Sequence, residues 1–342
     1  GTLCSYAPEE LILAGGALAH RIVGGSGRIS RADAHLQSYS CSLVRGALEG
    51  ALAGELDFLD GVIFPHTCDS IQRLSDIWRM NAGTGFHLDV VLPVKLNTDS
   101  ARRYMATVMA EAKAKLEALL GRTIDEADLQ RAIEIYNGIR KAMRRLYSLR
   151  SERPGIVSGS DVHAIVRASM TMDRKEFLNS LTRLLDHLDL QAADVTPAAK
   201  RIFISGGVCN MPDLFGLIES AGGVVVGDDL CTGSRGLTGL IDTQAAPLAA
   251  IAQRYARRAI CPAKHAGISR RGEELVRHVK DDGAQGVMFI FLKFCDPHAF
   301  DYPYLKSMLD DEGIPSLLIE LEEQTANQGQ LATRCGAFME ML

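Results

Sequence analysis

Four of the eight cysteines follow short apolar runs that predict buried β-strands. These cysteines are Cys68 after residues 61–66, Cys209 after 201–205, Cys231 after 223–226 and Cys295 after 286–294. The carboxyl ends of parallel strands are where α/β sheets bind their ligands. A thiol repeated at that place predicts metal binding or thiol chemistry at the sheet edge.

The composition narrows the classes of protein to which the chain can belong. It has 342 residues, a net charge of -5 and a pI near 6.0, which argues against nucleic acid or an anionic membrane as the main partner. No apolar run reaches the length of a membrane span, and no secretory signal is evident at the amino end. We therefore expect a cytoplasmic protein in which disulfides are rare. The cysteines are then buried thiols, reactive thiols or metal ligands.

Three cysteines are the strongest candidates for metal ligands. Cys41 precedes an apolar pattern of helical spacing, so it is expected at a helix amino terminus, where thiolate is favoured. Cys68 and Cys295 end strands in different predicted domains, and we expect those ends to face each other across a cleft. The absence of C-x-x-C argues against a thioredoxin-like dithiol and a zinc ribbon. Thiolates without nearby histidine pairs favour a soft metal or an iron–sulfur cluster. His66 and His298 leave a Cys/His zinc site open as an alternative.

Other catalytic motifs are missing from the sequence. It contains no G-x-x-x-x-G-K-[ST], no G-x-S-x-G and no H-E-x-x-H. The chain is therefore not expected to hydrolyse ATP by itself or to carry out serine or zinc-protease chemistry. Residues 21–23 form a candidate strand, and the glycine cluster that follows at 24–27 does not match G-x-G-x-x-G and predicts a loop.

The alternation of elements predicts an α/β fold. Strands at 201–205, 223–226, 286–292 and 315–319 alternate with helical patterns near 212–219, 245–258, 271–280, 302–310 and 328–341, as in a doubly wound parallel sheet. Long charged helices with apolar stripes fill the middle of the chain. We predict two doubly wound, Rossmann- or flavodoxin-like domains with a helical segment between them. Their ranges are 1–100 for the N-terminal α/β domain, 101–195 for the helical segment and 196–342 for the C-terminal α/β domain.

Several ordered motifs together resemble the 2-hydroxyacyl-CoA dehydratase and benzoyl-CoA reductase family. They are Cys4–Ile12 with Ala14 and Gly15, Leu59–Val62, His66–Asp69, Asp228–Arg235, Phe294–Pro297, Asp301–Lys306, Gly313–Pro315, Ile319 and Glu320, Gln330, and Thr333 and Arg334. The likeness runs from the first residues to the last, and the central helices contribute little to it.

The resemblance implies a cofactor, its ligands and its partners. In that family every subunit has a 4Fe-4S cluster held by three cysteines between two α/β domains, and the motif positions map onto Cys41, Cys68 and Cys295. A separate ATP-hydrolysing iron–sulfur activator supplies one electron, and the enzyme is completed by a sister subunit that is identical or different. The substrate implied is an acyl-CoA thioester, which undergoes 2-hydroxyacyl-CoA dehydration or benzoyl-CoA-type reduction by ketyl radical chemistry.

The chain has more cysteines than one such cluster needs. A branch of the family holds a double-cubane 8Fe-9S cluster and reduces small molecules, and Cys231 and Cys261 are the second-tier ligands for it. About four iron atoms per chain would indicate the single cluster, and about eight the double one. Two further alternatives are a non-catalytic electron-transfer scaffold and a flavodoxin-like protein with structural zinc. Cys335 is expected to be a buried hydrophobe, the roles of Cys4 and Cys209 stay open, and no catalytic residue is identified.

Overall fold

The computed structural model describes residues 1–25, 27–83, 85–191, 199–258, 261–264, 267–322 and 328–342. Within them the strands are β1 (Gly61–Pro65), β2 (Phe86–Val90), β3 (Lys200–Gly206), β4 (Gly223–Asp228), β5 (Gly286–Leu292) and β6 (Ser316–Leu321). The helices are α1 (Glu9–Ala14), α2 (Ser42–Leu52), α3 (Asp69–Asn81), α4 (Asp99–Leu120), α5 (Glu126–Glu152), α6 (Gly159–Thr171), α7 (Arg174–Leu190), α8 (Pro212–Ser220), α9 (Pro247–Arg257), α10 (Ile268–Asp281), α11 (Asp296–Asp311) and α12 (Gln328–Met341). The prediction of an α/β protein with parallel sheets is confirmed.

The chain divides into two compact units, and neither is continuous in sequence. The first unit comprises residues 1–140, 170–178 and 238–266, and the second comprises 141–169, 179–237 and 267–342. The predicted division at 100 and 195 stays a prediction, and its second boundary falls in 192–198, outside the described residues.

The first unit is built on parallel backbone pairing around β1. This strand is buried along its whole length and pairs in parallel with β2, from Gly61 opposite Phe86 to Pro65 opposite Val90. Thr2 makes parallel bridges to Ile63 of β1 and to Arg21. The strand predicted at 21–23 is therefore represented by a single bridge, and the amino-terminal residues lie between it and β1.

The second unit contains a four-stranded parallel sheet among its described residues, in the order β4-β3-β5-β6. Apolar side chains from α8 and α12 pack on one face of the sheet and side chains from α10 and α11 pack on the other. Cys335 is fully buried in the first of these cores, which confirms its expected role. The strand order changes direction between β3 and β5, and crevices at such switch points are where doubly wound sheets bind ligands.

The helices α4 to α7 carry the long amphipathic patterns of the middle of the chain. On α4, the predicted apolar stripe is buried, from Met105 through Met109 to Leu116, so these methionines fill the core. Among the helices that the structure describes, none is both long enough and apolar enough to span a bilayer.

Candidate functional site

All three first-tier cysteines occupy the same local position, directly before a helix. Cys41 is the N-cap residue of α2, Cys68 of α3 and Cys295 of α11. Asp69 and Asp296 are the first helical residues after the last two, where an acidic side chain is stabilised by the helix dipole. Each thiol therefore lies beside the unsatisfied N–H groups of a helix start, as predicted for Cys41.

The end of β1 explains why Cys68 lies at the sheet edge. Pro65 is the last strand residue, and proline has no N–H with which to continue a ladder. The N–H of His66 still donates to the carbonyl oxygen of Val90 at 2.9 Å, and that of Thr67 turns back to Pro65 at 2.8 Å. The chain then turns directly into α3 with Cys68 at the corner.

Cys4 reaches the same edge from the amino-terminal segment. The N–H of Ile63 donates to the carbonyl oxygen of Gly1 at 2.9 Å, and Thr2 runs parallel to β1 at that point. Cys4 follows two residues later, is 8% exposed and lies near enough to Cys68 to affect its pKa. The parallel pairing, rather than the short helix α1, is what places this thiol.

Electrostatic interactions show that four thiols of the first unit lie near one another. The pKa of Cys68 is raised to about 12, first by burial and then by the neighbouring Cys41, Cys4 and Cys261, which would repel its thiolate. The N–H of Ile71 in α3 lowers the pKa, but burial and repulsion outweigh it. In the metal-free protein, the position of Cys68 at a helix start is therefore not sufficient to ionise its thiol.

A buried lysine accompanies these thiols. Lys264 is 1% exposed, and its Nζ donates to the carbonyl oxygens of His66 at 2.9 Å and Leu92 at 3.3 Å. Burial lowers the pKa of Lys264, while Cys4, Cys261 and Cys68 act in the opposite direction. The side chain therefore places a cation at the carboxyl ends of β1 and β2.

The histidine before Cys68 has a local partner. His66 Nε2 lies 2.8 Å from Asp89 Oδ1 on β2, and Ser75 also donates to that oxygen. Burial would raise the pKa of Asp89, but these hydrogen bonds and the neighbouring His87 hold it below its ordinary value. The imidazole of His66 is therefore hydrogen-bonded to a side chain of β2.

In the second unit, Cys231 lies in a loop that is fixed at both ends. Its N–H donates to the carbonyl oxygen of Gly207 at 2.9 Å, and Asp228 Oδ1 accepts from the N–H groups of Leu230 and Ser234 at 3.2 and 2.9 Å. Arg235, which is 2% exposed, donates from Nη1 to Cys231 Sγ at 3.0 Å. The sulfur of Cys231 therefore has a cationic hydrogen-bond partner.

Cys209 and Cys295 lie after β3 and β5 in the same unit. Cys209 is fully buried, and Thr232 Oγ1 both accepts from its N–H and donates to its carbonyl oxygen, each at 3.0 Å. Phe294, immediately before Cys295, has a φ of 66°. This left-handed residue turns the chain so that α11 begins at Asp296, not near 302 as predicted.

His298, in the first turn of α11, is 4% exposed. Burial, and then the nearby Arg235 and Arg271, hold its pKa well below the usual range, so it is neutral. Arg271 Nε lies 3.0 Å from an oxygen of Asp301, and both arginines lie within 4 Å of Asp229. The two arginines near Cys231 are therefore paired with aspartates.

Sequence comparison shows the family to which this chain belongs. The family model described as "2-hydroxyglutaryl-CoA dehydratase, D-component" matches residues 4–342. The chain belongs to this family. The family resemblance predicted from the motifs is confirmed, and the chain is an enzyme subunit of the 2-hydroxyacyl-CoA dehydratase type.

Characterised members of the 2-hydroxyglutaryl-CoA dehydratase D-component family match over almost their full length. The (R)-phenyllactyl-CoA dehydratase beta subunit of Clostridium sporogenes is 30% identical, covering 100% of this chain and 91% of that protein. The lactoyl-CoA dehydratase subunit beta of Anaerotignum propionicum is 28% identical, with 100% and 91% covered. A benzoyl-CoA reductase subunit of Thauera aromatica is 28% identical, with 98% and 89% covered.

The thiols of the first unit suit the cofactor that was expected for this family. All eight cysteines are described, and none forms a disulfide. Over the described ranges, no three His, Cys, Asp or Glu side chains lie close enough to hold one metal ion. A four-iron cluster is larger than a single metal ion, so its thiolate ligands lie farther apart. Buried thiols whose ionised forms would repel one another fit such a cluster, because bound iron would compensate the negative charge that burial disfavours.

Sequence reasoning did not identify two residues of the first-unit site. Cys4 was left open because it lies just before a predicted helix start, where either a buried thiol or a metal ligand is possible. Lys264 carries no local signal except that it follows the second-tier candidate Cys261 by three residues. Of the second-tier candidates, Cys261 joins the first-unit thiols, whereas Cys231 belongs to the second unit.

Proposed function

We propose that this chain is the iron–sulfur subunit of a low-potential enzyme that dehydrates 2-hydroxyacyl-CoA thioesters. The observation that carries the proposal is the group of buried thiols in the first unit, in which Cys41 and Cys68 start adjacent helices of a family member. Dehydration is favoured over benzoyl-CoA-type reduction because the family description and the two beta-subunit relatives named above are all dehydratases. Reduction is the second candidate, supported by the match to the benzoyl-CoA reductase of Thauera aromatica.

The proposed ligands are Cys41, Cys68 and Cys295. When bound, the 4Fe-4S cluster would supply one low-potential electron to the substrate thioester and so permit its ketyl radical chemistry. The chain's own residues would hold the thiolates at helix starts, exclude water by burial and fix the loops from which the thiols project. The relatives are named as subunits, so we also propose a sister subunit, and the lack of a P-loop motif fits a separate ATP-hydrolysing activator.

A double-cubane 8Fe-9S cluster is less well supported. Of its two additional candidate ligands, Cys231 already accepts a hydrogen bond at Sγ from Arg235 at 3.0 Å. Cys261, which lies among the first-unit thiols, is the better of the two additional candidates.

Anaerobic reconstitution with iron and sulfide tests the proposal. We expect about four iron atoms per chain, whereas about eight would favour the double cubane. Cys335→Ala is the matched control, because this thiol belongs to a hydrophobic core, and it should retain wild-type iron. A folded protein that binds zinc and no iron would contradict the proposal.

Turnover separates catalysis from simple electron transfer. The reconstituted chain, with its sister subunit, an activator and ATP, should convert (R)-2-hydroxyacyl-CoA to the enoyl-CoA. Loading with iron but no turnover of any 2-hydroxyacyl-CoA or of benzoyl-CoA would favour the non-catalytic electron-transfer scaffold.

A further inference from the structure

One side chain of the first unit joins two strand ends and the thiol group. Lys264 Nζ donates to the carbonyl oxygen of His66 at 2.9 Å and to that of Leu92 at 3.3 Å. His66 follows β1 and Leu92 follows β2, so one ammonium group links the carboxyl ends of two neighbouring strands. Because His66 is two residues before Cys68, this link also fixes the turn that presents the thiol.

The backbone of Lys264 is attached to a second thiol-bearing segment. Its N–H donates to the carbonyl oxygen of Cys261 at 2.9 Å, and the two residues form an antiparallel bridge. The same residue therefore holds Cys261 through its backbone and the turn before Cys68 through its side chain.

The charge of Lys264 is balanced in an unusual way. Buried charges are normally paired with opposite charges, as Arg140 is paired with Glu10 in the same unit. The two hydrogen-bond acceptors of Lys264 are neutral carbonyls, and the groups that favour its charged form are Cys4, Cys261 and Cys68. An ammonium has three donors, and two of them serve these carbonyls. Among the described residues, the side chains that favour the charged form of Lys264 are therefore thiols rather than carboxylates.

We propose that Lys264 is a positioning residue of the metal centre, with two separable roles. Its hydrogen bonds hold the ends of β1 and β2 together beneath the thiols. Its fixed positive charge stabilises the negative charge that a thiolate-ligated cluster gains on reduction. The second role rests on the proposed function, whereas the first does not depend on metal.

Three substitutions separate the two roles. Lys264→Arg keeps the charge and the donors, Lys264→Gln keeps donors without the charge, and Lys264→Met removes both. Circular dichroism and the fluorescence of Trp78, a buried residue of the same unit, check that each variant folds.

Hydrogen exchange of the metal-free protein tests the hydrogen-bonding role. The His66 amide, which bonds to Val90 across β1 and β2, should exchange at least about tenfold faster in Lys264→Met, because both hydrogen bonds that hold the strand ends together are lost. Lys264→Arg and Lys264→Gln should stay near the wild-type rate. Equal protection in Lys264→Met and the wild type would overturn this role.

A redox titration followed by electron paramagnetic resonance tests the charge role in the loaded protein. The cluster of Lys264→Gln should have a more negative midpoint potential than the wild type, and Lys264→Arg should match the wild type. A tenfold loss of the reduced form at fixed potential corresponds to about 59 mV for one electron. Equal midpoints in Gln, Arg and wild-type proteins would overturn the charge role while leaving the proposed function intact. Wild-type protein that binds no iron would contradict the proposed function and the charge role together, and the exchange experiment would still decide the hydrogen-bonding role.

Discussion

Both units place thiols at the carboxyl ends of parallel strands, but they balance charge differently. In the first unit, Cys68 lies near three further thiols, and the cation beside them is Lys264. In the second unit, Cys231 accepts a hydrogen bond from Arg235, which belongs to a network of two arginines and two aspartates. The thiols of the first unit therefore need further positive charge when they ionise, whereas the thiol of the second already has a cationic partner. This difference favours the proposed iron ligands Cys41 and Cys68 over Cys231.

The two units also differ in what their buried carboxylates hold in place. Glu10 of the first unit is fully buried, pairs with Arg140 and accepts from Tyr255 Oη at 2.9 Å. Asp228 of the second unit accepts from Tyr147 Oη at 2.7 Å and from the loop that carries Cys231. The first carboxylate joins helices, and the second supports a thiol-bearing loop.

The largest effect on stability is expected at Glu10. Glu10→Gln leaves Arg140 and Arg254 as buried cations without their carboxylate, which should cost about 3–5 kcal/mol of unfolding free energy. Urea unfolding followed by the fluorescence of Trp78, which lies in the same unit, measures this loss. Glu111→Gln on the exposed face of α4 is the matched control and should change little. A loss below about 1 kcal/mol would show that Glu10 does not anchor the first unit.

A smaller effect is expected on the loop that carries Cys231. Arg235→Gln removes the guanidinium that donates to Cys231 Sγ at 3.0 Å and to the carbonyl oxygen of Gly206 at 2.8 Å, and a hydrogen bond to a charged group contributes about 1.5–3 kcal/mol. The Cys231 amide, which donates to the carbonyl oxygen of Gly207, should therefore exchange its hydrogen with solvent about tenfold faster or more. Arg277→Gln, on an exposed part of α10, should leave the rate unchanged. An unaltered rate in Arg235→Gln would remove the contrast between the two thiol environments.

The smallest expected effect is a change in the stability of the second unit with pH. Burial, and then repulsion by Asp228, raise the pKa of Asp282 in the second unit from 3.8 to about 6. The folded state therefore binds this proton more tightly than the unfolded chain, and stability falls as pH rises from about 4 to 6. We expect about 1 kcal/mol after allowance for its partial exposure to solvent. Hydrogen exchange of β4 amides should show the decline, and Asp282→Asn should abolish it.

Glu10 has the opposite pH dependence. Burial would raise its pKa, but Arg140 and Arg254 lower it from 4.5 to about 2. Its contribution is complete above pH 4.5 and is lost as pH falls towards 2. Between about pH 4.5 and 6, the Glu10 contribution should thus stay constant while that of Asp282 declines. Parallel changes in both units across that range would contradict these assignments.

Strand positions could be predicted where both faces of a strand are buried. All seven residues of β5 are buried, and its predicted bounds match the observed ones. β2 was missed because its sequence, Phe-His-Leu-Asp-Val, is only partly buried and alternates with polar side chains. The predicted start of α11 was too late because Pro303 lies inside the helix, where proline normally indicates a break.

The site could be predicted only where local sequence determines it. Cys41 and Cys68 precede helix patterns, and the helix starts place them. Cys4 is brought to the edge by its pairing with β1, and Lys264 contacts His66 across 198 residues of sequence. Contacts of such separation depend on the packing of the whole unit and have no signature in a single sequence.

Iron retention by two cysteine variants tests the central claim most directly. After anaerobic reconstitution, Cys68→Ala should lose most of its iron, because a first-unit ligand is removed. Cys231→Ala should keep the wild-type amount, because its thiol is held by Arg235. If Cys231→Ala lost as much iron as Cys68→Ala, or if Cys68→Ala kept it all, the first-unit thiols would not be the site of the cluster.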